Sequence, residues 1–324
     1  MKIINLVMPS VLVSTLFAGC VMPSENDPVT DDNDPASTDG VLDGRAAAEA
    51  EAQALGISDL PLNLTSWYSG SVAPGGTQHW YWNNSSLTAA YQVGLSPIGA
   101  STSNACNFEV TRTWDVQNYG GEREFHFIIQ NTGAITCGAN ILLDSTQRLS
   151  TWATGGLNPG ASKSWTWNNA NPLDASYFVG VSPSGATSSN PCELEVTRTW
   201  YDQQPGGERE LKFTVKNAGA IACQGDIQLA RTSSVPATWS TGTLAAGASK
   251  SWTWNNANPL DRIYVPGLSP DGASGLTACV LEVTQSYYRQ VINADGSAER
   301  ELHLTVSNVG SLACFGTVLL NNVP

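Results

Sequence analysis

Apolar and polar residues alternate along several short stretches of the chain. The alternation is clear at 194–197 and again at 211–216. A period of two places successive side chains on opposite faces of a strand, so these stretches predict half-buried β-strands. Turn-forming clusters such as Gln204-Pro-Gly-Gly207 separate them. Such short connections indicate antiparallel pairing.

The same pattern of strands and turns recurs three times. The fifteen residues Gly160–Asp174 are identical to Gly247–Asp261, and a looser copy lies at 75–87. Intervals of 86 and 87 residues separate the first cysteine of each copy, at Cys106, Cys192 and Cys279. Self-similarity of this length is typical of an array of domains.

We therefore predict an all-β fold of three tandem antiparallel β-sandwich domains, each about 86 residues long and built from about six strands. The predicted repeats are 62–146, 147–233 and 234–324. The third copy has about four additional residues between Tyr288 and Glu299. This insertion falls at a predicted hairpin tip, where added length is tolerated.

Two cysteines recur in every copy, which predicts one disulfide per repeat. Their separations of 31, 31 and 35 residues are too regular for free thiols, and export would supply an oxidising compartment. The expected pairs are Cys106–Cys137, Cys192–Cys223 and Cys279–Cys314. Zinc binding is the competing interpretation, but the three histidines do not recur together, so we predict no metal and no cofactor.

Two short motifs accompany the predicted strands. Asn-x-Gly begins at Asn131, Asn217 and Asn308, and Leu-x-x-Gly-x-Ser occupies 157–162 and 244–249. Both motifs resemble those of the immunoglobulin-like, adhesion-type modules of bacterial surface proteins, including CARDB-like domains. The resemblance implies immunoglobulin-like sandwiches that act as spacers or in adhesion and protein interaction. The cysteine pair lies outside that general pattern.

The N-terminus has the features of an export signal. Lys2 precedes the apolar run 3–17, which is shorter than the roughly 20 residues of a spanning helix. The sequence 16–20 ends in Ala-Gly-Cys and resembles the lipobox of bacterial lipoproteins, which implies a signal peptide at 1–19 and lipid, palmitate included, on Cys20. The absence of Asp at position 21 implies an outer-membrane lipoprotein facing the periplasm or the cell surface. An ordinary leader is the alternative.

Residues 20–44 are rich in Asp, Pro, Ser and Thr and poor in apolar side chains, so we predict a disordered acidic tether. The segment 31–34 offers calcium-ligand types without the spacing of a calcium loop, which favours a solvated linker. Alanine and Glu dominate 45–56, which predicts a short helix.

Charge and motif content limit the chemistry. A formal net charge of −13 argues against binding nucleic acid through its phosphates. The repeated Glu pairs, such as Glu208 and Glu210, occur three times, and we interpret them as cross-strand partners of Arg112, Arg198 or other polar groups. No motif supports a catalytic set, so we predict no catalytic residue and no enzyme.

Paired tryptophans are the candidate ligand contacts. Because partners lie two residues apart they share one strand face, which is core if it points inward and a sugar-stacking stripe if it points outward. The Asn-Asn that follows each pair could bind a glycan or form a turn. The candidates are Trp80, Trp82, Trp165, Trp167, Trp252, Trp254, Asn168, Asn169, Asn255 and Asn256. Tyrosines near the predicted hairpin tips form a second candidate patch: Tyr119, Tyr201, Tyr287 and Tyr288.

These features together predict a lipid-anchored bacterial cell-envelope protein whose non-catalytic modules serve adhesion, protein interaction or spacing. The alternative is a surface carbohydrate-binding protein accessory to a polysaccharide-degrading system. The expected partners are the membrane, through the N-terminal lipid, and an extracellular protein or glycan. The two functions differ in whether the paired tryptophans face solvent.

Overall fold

A computed structural model of the chain describes residues 65–323, apart from 84, 169, 171–174, 256 and 258–261, and the side chains of 234–236 are outside the description as well. Within these residues the fold is all-β, with eighteen strands and no helix. The predicted leader, Cys20, the tether and the helix at 45–56 lie outside the described residues, as do Asn169 and Asn256.

Each repeat contributes six strands, as predicted. Repeat 1 contains β1 (Thr65–Tyr68), β2 (Thr77–Asn83), β3 (Ala89–Ile98), β4 (Cys106–Gln117), β5 (Arg123–Asn131) and β6 (Gly138–Gln147). Repeat 2 contains β7 (Ser150–Ala153), β8 (Ser162–Asn168), β9 (Ser176–Ser184), β10 (Cys192–Gln203), β11 (Arg209–Asn217) and β12 (Gln224–Thr232). Repeat 3 contains β13 (Ser234–Ser240), β14 (Ser249–Asn255), β15 (Ile263–Asp271), β16 (Cys279–Ile292), β17 (Ala298–Asn308) and β18 (Phe315–Val323).

The insertion in the third copy extends a hairpin. Strands β16 and β17 have 14 and 11 residues, whereas their counterparts in repeat 1, β4 and β5, have 12 and 9. The four additional residues therefore lengthen both arms of the hairpin rather than enlarging its turn.

Within a repeat the strands form two antiparallel layers. In repeat 1, β1, β6 and β3 make one sheet, and β2, β5 and β4 pair in another. Phe127 of β5 and Ile141 of β6 are fully buried in the same core cluster, so the two layers pack face to face. Repeats 2 and 3 use the same strand order.

A disulfide joins the two layers of each repeat. The predicted pairs Cys106–Cys137, Cys192–Cys223 and Cys279–Cys314 are all formed. Each bond links the start of a long strand in one layer to the residue before the last strand of the repeat in the other. A cross-link that closes a loop of about 30 residues stabilises a domain by roughly 3 kcal/mol.

The Asn-x-Gly motif is a buried clamp beside each disulfide. Asn131 is fully buried, and its side-chain amide donates to the carbonyl oxygens of Val72 and Ile135, both at 2.8 Å. Its Oδ1 accepts from the Gly133 amide at 2.9 Å. Asn217 and Asn308 repeat this pattern. The motif thus satisfies backbone groups that burial would otherwise leave without partners.

The long strands of the three repeats pair with one another in a closed ring. The end of β4 pairs with the start of β10, the end of β10 with the start of β16, and the end of β16 with the start of β4. The registers correspond: Asp115 lies opposite Leu194, Tyr201 opposite Leu281 and Tyr288 opposite Phe108. One nine-stranded sheet therefore runs through all three repeats around an approximate threefold axis.

Ring closure is a feature that the prediction of three tandem sandwich domains does not include. The sequence period identifies three copies of one unit, and it carries no information on which strand edges pair. Each long strand has a second edge, and a free edge is a template for another strand. Here that edge is occupied at both ends by the neighbouring repeats.

The cores of the repeats are also continuous. One cluster combines Ala90 of repeat 1 and Phe178 of repeat 2 with Ile263 of repeat 3, all at most 5% exposed. A glycine in the third strand of each repeat, at position 94, 180 or 267, lies against the preceding repeat of the ring, and a Cβ at Gly180 would be 3.0 Å from Cα of Ala90. Only glycine permits this approach of two strands.

Side-chain amides at the strand ends reinforce the joints. The Gln117 Oε1 atom of repeat 1 accepts from the amides of Gly185 and Ala186 in repeat 2, at 2.8 and 3.1 Å. Gln203 and Gln290 make the corresponding contacts to repeats 3 and 1. The same glutamine therefore closes all three junctions of the ring.

Candidate interaction face

The paired tryptophans point toward the core. Trp80 is 2% exposed, and the other five members of the pairs are half-buried against the core clusters. Trp165 stacks on Phe213 with ring centroids 6.0 Å apart, and Trp167 meets Trp152 edge-on at 5.6 Å. The core interpretation of these residues therefore fits the structure, and the six tryptophans form no exposed stripe.

Of the candidate asparagines, Asn168 and Asn255 lie within the described residues. Both are exposed, and each is the last residue of its strand. They follow inward-facing tryptophans, so they do not extend an aromatic surface. Of the second candidate patch, Tyr201 and Tyr288 are buried and Tyr287 is half-buried, whereas Tyr119 is 76% exposed at the β4–β5 turn. The structure does not bring these tyrosines together as one exposed surface.

A different set of side chains occupies the outer face of the nine-stranded sheet. The Arg112 guanidinium lies 4.4 Å from the centre of the Trp114 ring, and the Arg198 guanidinium lies 4.6 Å from that of Trp200. Both contacts have cation–π geometry. In repeat 3 the corresponding residues are Gln285 and Tyr287. Aromatic side chains therefore occur at the same place in all three repeats.

The arginines also reach across the junctions between repeats. Arg112 binds Glu195 of repeat 2, with Nη2 to Oε2 at 2.8 Å, and Arg198 binds Glu282 of repeat 3, with Nη2 to Oε2 at 2.6 Å. The Gln285 side chain hydrogen-bonds Glu109 of repeat 1. We call this ring of residues the polar collar: Glu109, Arg112, Glu195, Arg198, Glu282 and Gln285.

The sequence-based interpretation named Arg112, Arg198 or other polar groups as cross-strand partners of the repeated Glu pairs. The two arginines pair between repeats instead, and other polar groups contact the repeated glutamates. The second glutamate of each repeated Glu pair contacts the residue two positions later on its strand. The observed pairs are Glu124–His126, Glu210–Lys212 and Glu301–His303.

The repeat 1 sector of the outer face contains two coupled histidines. His126 Nε2 lies 2.8 Å from the Glu124 carboxylate, and His126 Nδ1 lies 2.9 Å from His79 Nε2. Both rings stack on Trp114, with centroids 5.1 and 4.9 Å from it. Burial, with a further contribution from His79, lowers the pKa of His126 to about 3. His126 is therefore neutral near pH 7, so its Nε2 donates to Glu124 and its Nδ1 accepts from His79. Burial lowers the pKa of His79 as well.

The other two sectors differ in chemistry. In repeat 2, Lys212 bridges Asp202 and Glu210, at 2.5 and 3.1 Å. In repeat 3 the His303 ring stacks on Tyr287 at 4.8 Å. The three sectors thus share one architecture of a cation or imidazole beside a carboxylate and an aromatic ring, with different residues in each.

The polar collar surrounds an opening on the threefold axis. Between the junctions, residues 109–114 of β4 pair with β5 on one edge and with no strand on the other. The corresponding parts of β10 and β16 also pair on one edge only. A cavity of ≈ 350 Å³ on this face is lined by residues of repeats 2 and 3, among them Arg198 and Glu282. A cavity of ≈ 290 Å³ beneath it is lined by residues of all three repeats. The face therefore has a central depression.

A repeated sequence motif marks this face, although the alternation of apolar and polar residues does not reveal its role. Glu-Val-Thr-Arg-Thr-Trp is identical in repeats 1 and 2 and becomes Glu-Val-Thr-Gln-Ser-Tyr in repeat 3. The motif marks a recurring polar and aromatic surface. Its glutamate and arginine meet only after ring closure, so their pairing cannot be deduced within one repeat.

Over the described part of the chain, no group of three or more His, Cys, Asp or Glu residues is placed to hold a metal ion. Likewise, no helix among these residues is long and apolar enough to cross a bilayer. The chain matches no protein-family model, no curated protein and no solved structure with significant similarity.

Proposed function

We propose that this chain is a non-catalytic, lipid-anchored protein of the bacterial cell envelope that binds a protein partner through its outer face. The observation that carries the proposal is ring closure. It combines three copies of a charged and aromatic cluster into one surface around a single depression. A surface of that kind favours simultaneous contacts to one partner over the extended spacing expected of modules joined end to end.

The composition of the face supports a protein partner. Arginine and aromatic side chains are the residue types enriched at the centres of protein interfaces. The side chains of Arg112 and Arg198 are 39% and 45% exposed, so part of each guanidinium remains accessible to a partner although its charge is paired. The inward position of the paired tryptophans removes the main support for a sugar-stacking stripe.

Membrane anchoring belongs to the same proposal and rests on the lipobox-like residues 16–20. A lipid on Cys20, followed by the acidic tether, would hold the rigid body near the outer membrane and allow it to reach a partner. Cys20→Ser should abolish incorporation of an alkynyl palmitate analogue and release the protein from the membrane fraction. Retention of both label and membrane association would contradict this part of the proposal.

For each repeat we propose an immunoglobulin-like origin. Its two three-stranded layers, joined by connections that cross between them, support that proposal together with the Asn-x-Gly clamp. In that description the ring is a later arrangement of three such units, in which long strands have gained pairing partners in neighbouring copies.

The binding proposal can be tested by photo-cross-linking in intact cells. A benzophenone amino acid at Thr197, which is exposed and lines the ≈ 350 Å³ cavity of the outer face, should form an adduct with a protein partner. The matched control is the same amino acid at Thr151, which is exposed on β7 in a different sheet. We expect an adduct only from position 197, and the adduct should be sensitive to protease.

Three other outcomes would contradict the proposal. Equal adducts from both positions would show that the outer face is not special, and the lack of any adduct would show that it has no partner in the envelope. An adduct that resists protease but is degraded by glycosidases would support carbohydrate binding instead.

A further inference from the structure

One inner position breaks the threefold symmetry of the ring. In repeats 2 and 3 it is occupied by Tyr201 and Tyr288, both buried. The Tyr201 hydroxyl lies 3.2 Å from the backbone nitrogen of Tyr177, and Tyr288 makes the corresponding contact to the Tyr264 backbone. Repeat 1 has Asp115 at this position. A short, ionisable side chain therefore replaces a phenol ring.

Asp115 is buried without a cationic partner. It is 6% exposed, and its Oδ2 accepts one long hydrogen bond, 3.4 Å, from the Val181 amide of repeat 2. No cationic side chain pairs with it within the described part of the chain. Burial raises the pKa of this carboxyl well above its usual range. Loss of hydration makes an isolated buried carboxylate costly, and a bound cation would offset that cost.

The space that a tyrosine would fill is a cavity beside Asp115. Its volume is ≈ 150 Å³, similar to cavities that hold a benzene-sized molecule. The rings of Tyr91 and Phe125 line it and stack on each other with centroids 5.3 Å apart. Val110 and Val179 supply aliphatic surface, and Thr113 adds a hydroxyl. The cavity thus combines one carboxyl group with aromatic and aliphatic walls.

Neighbouring cavities lie between the outer face and this cavity. The ≈ 150 Å³ cavity and the ≈ 290 Å³ axial cavity share Thr113 and Val179 as lining residues. Val196 lines both of these and the ≈ 350 Å³ cavity of the outer face. On that face, the polar collar holds three glutamates and two arginines because Gln285 replaces the third arginine. The excess carboxylate favours entry of a cation.

We propose that the cavity beside Asp115 binds a small organic amine, with its ammonium group on the Asp115 carboxylate and its alkyl part against the Tyr91–Phe125 ring pair and the aliphatic wall. Aromatic rings attract organic cations through their π faces. Calcium or magnesium fits poorly, because these ions need about six oxygen ligands and the cavity offers one carboxylate. This site is separate from the outer face, and either can exist without the other.

Isothermal titration of the full-length chain with n-butylammonium chloride tests the proposal. We expect saturable binding at millimolar concentration and at least tenfold weaker binding of the neutral analogue n-butanol. Asp115→Asn removes the charge without changing the shape and should weaken butylammonium binding at least tenfold. Asp226→Asn, which neutralises an exposed aspartate on β12, is the matched control and should bind like the wild type.

A second variant keeps the test decisive. Asp115→Tyr restores the residue of the other repeats, fills the cavity and should abolish binding, and its melting temperature shows whether the ring still folds. No butylammonium binding to the wild-type chain would overturn the proposal. Equal binding of butylammonium to Asp115→Asn, or equal affinity for butanol, would reduce the site to an apolar cavity and overturn it as well.

Discussion

At the scale of single residues, the histidines of repeat 1 show how burial changes acid–base behaviour. His126 and His79 are 47 positions apart in the sequence, yet their ring nitrogens lie 2.9 Å apart on the outer face. Strands β2 and β5 place them there because His79 and His126 are on neighbouring strands with their side chains on the solvent side. Both rings stack on Trp114, and His126 also contacts the Glu124 carboxylate.

The depressed pKa of His126 predicts loss of stability in acid. An unfolded chain takes up a proton on this histidine below about pH 6.5. The folded chain does so only near its pKa of about 3. The contribution of neutral His126 is therefore complete above about pH 6.5 and is lost as pH falls toward about 3.

Denaturant titrations of the wild type and His126→Gln at several pH values measure this loss. The free energy of unfolding of the wild type should fall more steeply between about pH 6.5 and 4, by on the order of 3 kcal/mol relative to the variant. Parallel curves for the two proteins would show that His126 titrates normally in the folded chain.

Sequence reasoning succeeds with residues that repeat and fails with residues that break the repeat. The six cysteines recur with regular spacing, so their pairing could be predicted. Asp115 and the His79–His126 pair occur in one repeat only. Their importance depends on neighbours from other strands, which a period cannot reveal.

At the scale of elements, alternating residues predicted the strands but not their outer edges. A two-residue period states which side chains face the core, as Leu194 and Val215 illustrate, since both are fully buried. Edge pairing depends on backbone groups that every residue carries, so side-chain pattern gives little information about it. One contact between strands does leave a trace in the sequence. The glycine at position 180 recurs in every repeat, and its strand lies close to the neighbouring repeat there.

Gly180→Ala should destabilise the ring. The added Cβ would be 3.0 Å from Cα and 3.1 Å from Cβ of Ala90, so β9 and β3 would have to separate. Overpacking of this kind typically costs 1–3 kcal/mol, so we expect a loss of about 2 kcal/mol in the free energy of unfolding by urea denaturation.

Gly206→Ala is the matched control for that substitution. Gly206 lies in the β10–β11 turn with open space around its Cβ position, so the change should leave stability within about 0.5 kcal/mol of the wild type. If Gly180→Ala were as stable as this control, the contact between β9 and β3 would not be a tight junction between repeats.

At the scale of the whole molecule, ring closure determines what the protein can present. Three units joined end to end would offer three separate surfaces that move relative to one another. Three units that share one sheet and continuous cores offer one fixed surface with a central opening. Both the proposed interaction face and the amine site depend on this arrangement, because each is assembled from more than one repeat.

Ring closure also predicts how the chain unfolds. Removing one repeat would expose two long-strand edges and parts of the shared cores, so the repeats should stabilise one another. Independent domains would each unfold with a transition of their own. Cooperativity therefore distinguishes the two architectures without requiring knowledge of any ligand.

Scanning calorimetry of the purified full-length chain, with its disulfides intact, tests this claim most directly. We predict one transition whose calorimetric enthalpy is about equal to its van't Hoff enthalpy, as expected when all three repeats unfold together. Three resolved transitions, or a calorimetric enthalpy about three times the van't Hoff value, would contradict the closed ring.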